Sequence, residues 1–151
     1  MAYERIDLLG SLGGIAGLRA IIKRFYDRLF SDPLVGFFFH GHDKARLITS
    51  QISYLLANLG DGQQDYEGPS IRSAHQDLPI TTGHFDRRHQ ILKEVLGEFE
   101  VDDEISRSWL AFDQSLRNLI VARGSVTRDA MTGAERVGLP MDSDSVDEPG
   151  L

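Results

Sequence analysis

Gly17-Leu18-Arg19-Ala20-Ile21-Ile22-Lys23-Arg24-Phe25-Tyr26-Asp27-Arg28-Leu29-Phe30-Ser31-Asp32-Pro33 is the stretch that decides the fold class. Its apolar residues fall at Leu18, Ile21, Ile22, Phe25, Tyr26, Leu29 and Phe30. Steps of three and four gather them into one stripe on an α-helix, whereas a strand would alternate. Asp32-Pro33 ends the helix, because the residue before a proline is pushed out of the α region.

Working outward, the spacing predicts a second helix after His42-Asp43, with Leu47, Gln51, Tyr54 and Leu55 on one face and Leu59-Gly60 at its end. Residues 60–70 have the glycine-rich turn chemistry of a loop. A short helix around Ile71–Gln76 follows, then a break from Pro79 to Gly83, with Thr81 or Thr82 as a helix cap. Phe85, Leu92, Val95, Leu96 and Phe99 predict a helix over 84–99, and Ile105, Trp109, Phe112, Leu116, Leu119 and Ile120 another over 102–121. Strand alternation, hairpin dipeptides and internal repeats are absent. Gly10-Ser11-Leu12-Gly13-Gly14 follows no strand, so it does not read as a phosphate-binding loop. The class is all-α, with four substantial helices and short pieces between them.

The composition bounds what such a helical domain can do. The 151 residues are 41% hydrophobic and 26% charged, which suits one globular domain. Zero cysteines rule out disulfides, thiolate metal sites and a cysteine nucleophile. No apolar run approaches the roughly 20 residues that span a bilayer, and Met1–Asp7 lacks the order of a signal peptide. A cytoplasmic location is the expectation. The net charge of −7 argues against a nucleic-acid partner. Residues 122–151 carry six acids against three arginines and few aromatics. They read as a disordered acidic extension of a domain formed by residues 1–121.

Among the five histidines, none form a pair four residues apart on one helix, as a zinc-protease site requires. His40 and His42 flank a loop glycine, where they suit either a metal or plain solvation. No Ser/His/Asp set or paired-acid site stands out. His75 lies on a short helix between two apolar-lined ones. It reads either as a core histidine or as the single protein ligand that haem iron requires.

The ordered string Leu12-Gly13-Gly14, Gly17-Leu18, Arg24-Phe25-Tyr26, Asp32-Pro33-Leu34, Phe37-Phe38-Phe39, Arg46-Leu47, Gln51, Leu59-Gly60, Tyr66-Glu67-Gly68, Ile71-Arg72-Ser73-Ala74-His75 and His84-Phe85 resembles the truncated haemoglobins. The match runs over residues 8–121, with one extra residue in the 60–66 loop. The resemblance implies a two-over-two helical sandwich holding one haem b. It assigns His75 as proximal iron ligand, Phe39 as the aromatic wedged against the haem, and Tyr26 and Gln51 as distal hydrogen-bond donors. Leu47 stands where other globins place a distal histidine. Phe25, Phe38, Leu55 and Phe85 would wall the porphyrin, with Arg46 and Arg72 on the propionates. For Tyr26, a buried hydroxyl bonded to a backbone acceptor is the alternative. Gln51 reads alternatively as a chance polar residue on an apolar face.

The implied function is reversible binding of dioxygen, nitric oxide and carbon monoxide, in oxygen transport or in oxidation of nitric oxide to nitrate with an external reductase. The alternatives are peroxidase-like turnover, an oxygen or redox sensor or ligand store without turnover, and a haem-free helical scaffold. Tyr26, Gln51 and Gly13-Gly14 look most like group I, while the stretch from His75 to Arg87 looks closer to group III. Ser50 replaces the histidine that closes the sixth coordination site in some members, although Tyr26 remains able to bind ferric iron. Arg117 stands where a covalent haem link needs a histidine, so the haem is expected to be non-covalent. Groups II and III carry tryptophan at the Arg88 position. Arg88 and Asp113 fall on or beside apolar faces, which leaves two readings: they pair across the helices, or Arg88 snorkels to solvent.

Overall fold

The computed structural model describes residues 3–60, 66 and 68–122. Within them the chain is helical. Helix α1 (Leu8–Leu12) leads into α2 (Gly14–Ser31), a 3-10 turn (Gly36–Phe39), α3 (Lys44–Asn58), α4 (Ile71–His75), α5 (Thr82–Glu98), α6 (Asp103–Ser115) and α7 (Arg117–Ile120). The longest four are the ones that hydrophobic spacing predicts. The acidic extension expected from residue 122 lies, from residue 123 onward, outside the described residues, as does most of the 60–66 loop.

Caps and glycines set the boundaries. Asp7 caps α1 by accepting from the Gly10 amide at 2.9 Å, a signal that the short apolar content of Leu8–Leu12 had hidden. The chain then turns at Gly13, whose φ of +85° suits glycine and few other residues. A Cβ on Gly17 would run into the Leu12 carbonyl oxygen, so α1 can fold back on α2 only over a glycine. Asp32 closes α2: its carboxylate accepts from the Leu34 and Val35 amides at 2.9 and 3.2 Å and pairs with Arg87 of α5 at 2.7 Å. Asp43 caps α3. Thr81, one of the two expected caps, starts α5 with a box in which the His84 side chain accepts from the Thr81 amide at 3.0 Å.

The predicted 102–121 helix is two helices. It breaks at Leu116, which ends α6 and begins α7 while its side chain stays buried. Continuous apolar spacing cannot report such a kink, because both pieces bury the same stripe.

Helix α2 packs on α3 and on α5, and α5 packs on α6, giving the two-over-two helical sandwich. Leu18, Ile22, Phe25 and Leu29 of α2 meet Leu55 of α3, Leu92 and Val95 of α5, and Trp109 and Phe112 of α6 in one core. Each such side chain contributes roughly 1.5–3 kcal/mol on burial. Short α4 packs on α7. The Ala122 amide donates to the Ile80 carbonyl at 2.8 Å and ties the end of the described chain to the entry of α5.

Candidate functional site

Tyr26 is the residue from which the site is built. It lies in the core stripe of α2, fully buried, with its ring edge-on to Phe39 at 6.0 Å and to Phe25 at 5.6 Å. Its hydroxyl has no hydrogen-bond partner. Buried hydroxyls nearly always find one, so the backbone-acceptor alternative does not hold for Tyr26. Burial pushes its phenol well above the usual range; the nearby Arg88 charge pulls the other way, and Asp113 and Tyr66 add to the rise. The group therefore stays an O–H, able to donate.

Gln51 is 6% exposed on the inner face of α3, one turn after Leu47, which is 4% exposed. An amide among Leu47, Ile48, Ile52 and Leu55 is a donor placed in an apolar wall. Phe39 is fully buried and stacks on Phe30 at 5.1 Å. Phe38, half-buried, sits edge-on to His84 at 5.0 Å. Phe85 is buried on α5, stacked on His89 at 6.3 Å, with the Arg117 guanidinium 5.1 Å over its ring.

His75 comes from a different helix packing. Ser70 caps α4, its side chain accepting from the Ser73 amide at 3.0 Å, and the last residue of the helix is His75, 1% exposed. Its Nδ1 lies 2.7 Å from the Ile71 carbonyl oxygen, which can only accept. In the neutral ring the proton is therefore on Nδ1 and the lone pair on Nε2. A second hydrogen bond of this kind fixes the tautomer and orientation of metal-ligating histidines. Tyr26 and Gln51 are carried by α2 and α3, which pack on each other, while α4 packs on α7. Arg46 and Arg72 lie on the exposed surface and are not part of the buried set. His40 and His42 are exposed in the turn before α3.

Arg88 and Asp113 do pair. The guanidinium donates to the Asp113 carboxylate at 2.5 Å, with side chains 2% and 4% exposed, so the snorkelling alternative fails. The pair has a third member that the sequence reading missed. His89 Nδ1 lies 2.7 Å from the other Asp113 oxygen. Its position four residues after Phe85 puts it beside the inner face of α5, but that spacing does not say that it meets Asp113 on α6. Burial works against the Asp113 charge, but Arg88 and the His89 hydrogen bond outweigh it and hold the carboxyl below its ordinary range. Arg117 donates to Asp86 at 2.8 Å as well as covering Phe85.

Residues 7–121 match the family of bacterial-like globins. The chain is 32% identical over 97 residues to a group 1 truncated hemoglobin of Chlamydomonas moewusii, covering 63% of this chain and 56% of the relative. It is 30% identical over 94 residues to one of Tetrahymena thermophila, covering 62% and 77%. A group 1 truncated hemoglobin of Mycolicibacterium paratuberculosis is 32% identical over 82 residues, 54% of this chain and 60% of that one. The chain thus spans well under two thirds of the length of the first and third of these relatives. Among solved structures, the 2/2 hemoglobin of a Synechococcus species, in its cyanomet state with covalently attached heme, superposes with a TM-score of 0.68 at 27% identity, over 80% of this chain and 97% of that one. With a family match that spans all the described helices and group 1 relatives at 30–32% identity, the chain belongs to the bacterial-like globin family, as a truncated hemoglobin of group I.

Proposed function

We propose that this globin holds one non-covalent haem b between His75 and the Tyr26–Gln51 pair and binds diatomic gases there. Its family implies a haem, and two features of the structure fit one. The Tyr26 hydroxyl is a buried donor lacking an acceptor, and the His75 imidazole is already in the tautomer a metal ligand needs. The first carries the reading, because a fold gains nothing from an orphaned hydroxyl unless something else accepts its hydrogen bond. When bound, the haem supplies an iron with an open position for dioxygen, nitric oxide or carbon monoxide, and for oxidation of nitric oxide to nitrate.

The chain's own residues would divide the work. His75 would hold the iron through Nε2, with the Ile71 carbonyl, bonded to Nδ1, keeping the ring from rotating. Tyr26 and Gln51 donate to a ligand that draws negative charge, and donation is worth more in a buried site than in water. Leu47, Phe38, Phe39 and Phe85 would exclude water, and the exposed Arg46 and Arg72 would pair with the propionates. Arg117, engaged with Asp86, has no chemistry for a covalent link. Re-reduction calls for an external reductase. No described helix is long and apolar enough to cross a membrane, in keeping with a cytoplasmic setting.

Titrating the haem-free protein with hemin should give a Soret band that saturates at one equivalent, together with quenching of the buried Trp109, the sole tryptophan. Mixing nitric oxide with the reduced, oxygen-saturated holoprotein should then yield nitrate. Absence of saturable hemin binding overturns the haem reading, and absence of nitrate overturns the nitric oxide chemistry alone.

A further inference from the structure

Two buried hydrogen-bond donors without partners flank Phe25. One is the Tyr26 hydroxyl, whose ring meets Phe25 at 5.6 Å. The other is the Nε–H of Arg88, whose guanidinium reaches across from α5 to lie 5.2 Å over the Phe25 ring. Arg88 is 2% exposed, and its pairing with Asp113 uses a terminal nitrogen and leaves Nε without an acceptor. A guanidinium is a rigid planar fork, so anchoring one terminal N–H also fixes the direction of Nε–H. Asp113 is held in turn on both its oxygens, by Arg88 and by His89. Arg88 and its partner Asp113 both lie close enough to Tyr26 for their charges to act on the phenol in opposite directions, and the Arg88 effect is the larger. A buried cation with one N–H unpaired is matched best by an acceptor that brings negative charge.

We infer that Arg88 is a specificity-determining residue of the ligand pocket. Its Nε–H and the Tyr26 hydroxyl together receive a small inorganic anion of two or three atoms, favouring it over a neutral ligand of the same size. The inference rests on the haem reading, because the anion sits on the iron of the ferric holoprotein.

Azide is the anionic probe and carbon monoxide the neutral one, each followed by the Soret band of the hemin-reconstituted full chain. The double variant Arg88→Met with Asp113→Leu replaces the ion pair by apolar volume, a change that buried pairs often tolerate. It should raise the azide Kd of the ferric form about tenfold, the effect of one charge-assisted hydrogen bond. Carbon monoxide affinity of the ferrous form should stay within about twofold. Arg88→Lys keeps a cation opposite Asp113 but has no Nε–H, and it should weaken azide in the same direction. It decides the question if circular dichroism shows the double variant unfolded. An unchanged azide Kd, or an equal loss of carbon monoxide affinity, overturns the inference while the Soret band of the unsubstituted protein still upholds the haem reading. Absence of that band overturns both.

Discussion

At Tyr26 a single hydroxyl decides between a packing residue and a working one. A buried O–H with no partner costs the fold about 1–3 kcal/mol, and phenylalanine would fill the same space without that cost. Tyr26→Phe should therefore leave the protein at least as stable, with an equal or higher denaturation midpoint. The same change should speed dioxygen release about tenfold, if the hydroxyl contributes an ordinary ligand hydrogen bond. Flash-photolysis or stopped-flow off-rates measure this, and an unchanged rate would remove Tyr26 from the ligand site. The candidate residues were legible here because Tyr26 and His75 are polar groups on apolar faces, and the resemblance gave those exceptions a meaning. Arg88 and Asp113 stood out for the same reason. Their link to His89 did not, because a contact across 24 residues between α5 and α6 has no local signature.

The element that shows most about local chemistry is α5. Thr81 and His84 cap it reciprocally, with a histidine in the place usually taken by Glu or Gln. The box needs an unprotonated His84 Nδ1, since that atom accepts from the Thr81 amide. Burial against Phe37 and Phe38 lowers the affinity of the imidazole for a proton below the ordinary 6.5. The unfolded chain then takes up the proton first. This contribution to stability is complete above about pH 6.5 and is lost as pH falls below that value. His84→Gln keeps an acceptor for the Thr81 amide and removes the titration. Thermal midpoints measured from pH 7.5 to 5 should fall less for the variant than for the unsubstituted protein, and parallel curves would contradict the role of the cap. Helix boundaries of this sort were readable from Asp43, Thr81 and Asp32-Pro33. The break at Leu116 was not, since neither glycine nor proline marks it and both halves share one apolar stripe.

Across the whole molecule, the sandwich follows from four amphipathic helices and a glycine at position 17 that lets α1 close onto α2. Spacing alone predicts the helices; their arrangement as two over two came from the resemblance, because periodicity says which face is buried and not against what. The buried carboxylates add a condition on pH. Asp32 is held below its ordinary range because Arg87 and two backbone amides outweigh the effect of burial, and Asp113 behaves likewise through Arg88 and His89. Their contribution is present above the ordinary carboxylate range and is lost only as pH falls through the lowered values. In the proposed reading the helices are arranged around an iron held by His75. The most direct test is the absorbance spectrum of the hemin-reconstituted protein beside that of His75→Gly, with and without added imidazole. The account predicts a Soret band that shifts with carbon monoxide in the reduced unsubstituted protein, is lost or displaced in His75→Gly, and returns when imidazole fills the vacated place. A His75→Gly spectrum identical to that of the unsubstituted protein would contradict it.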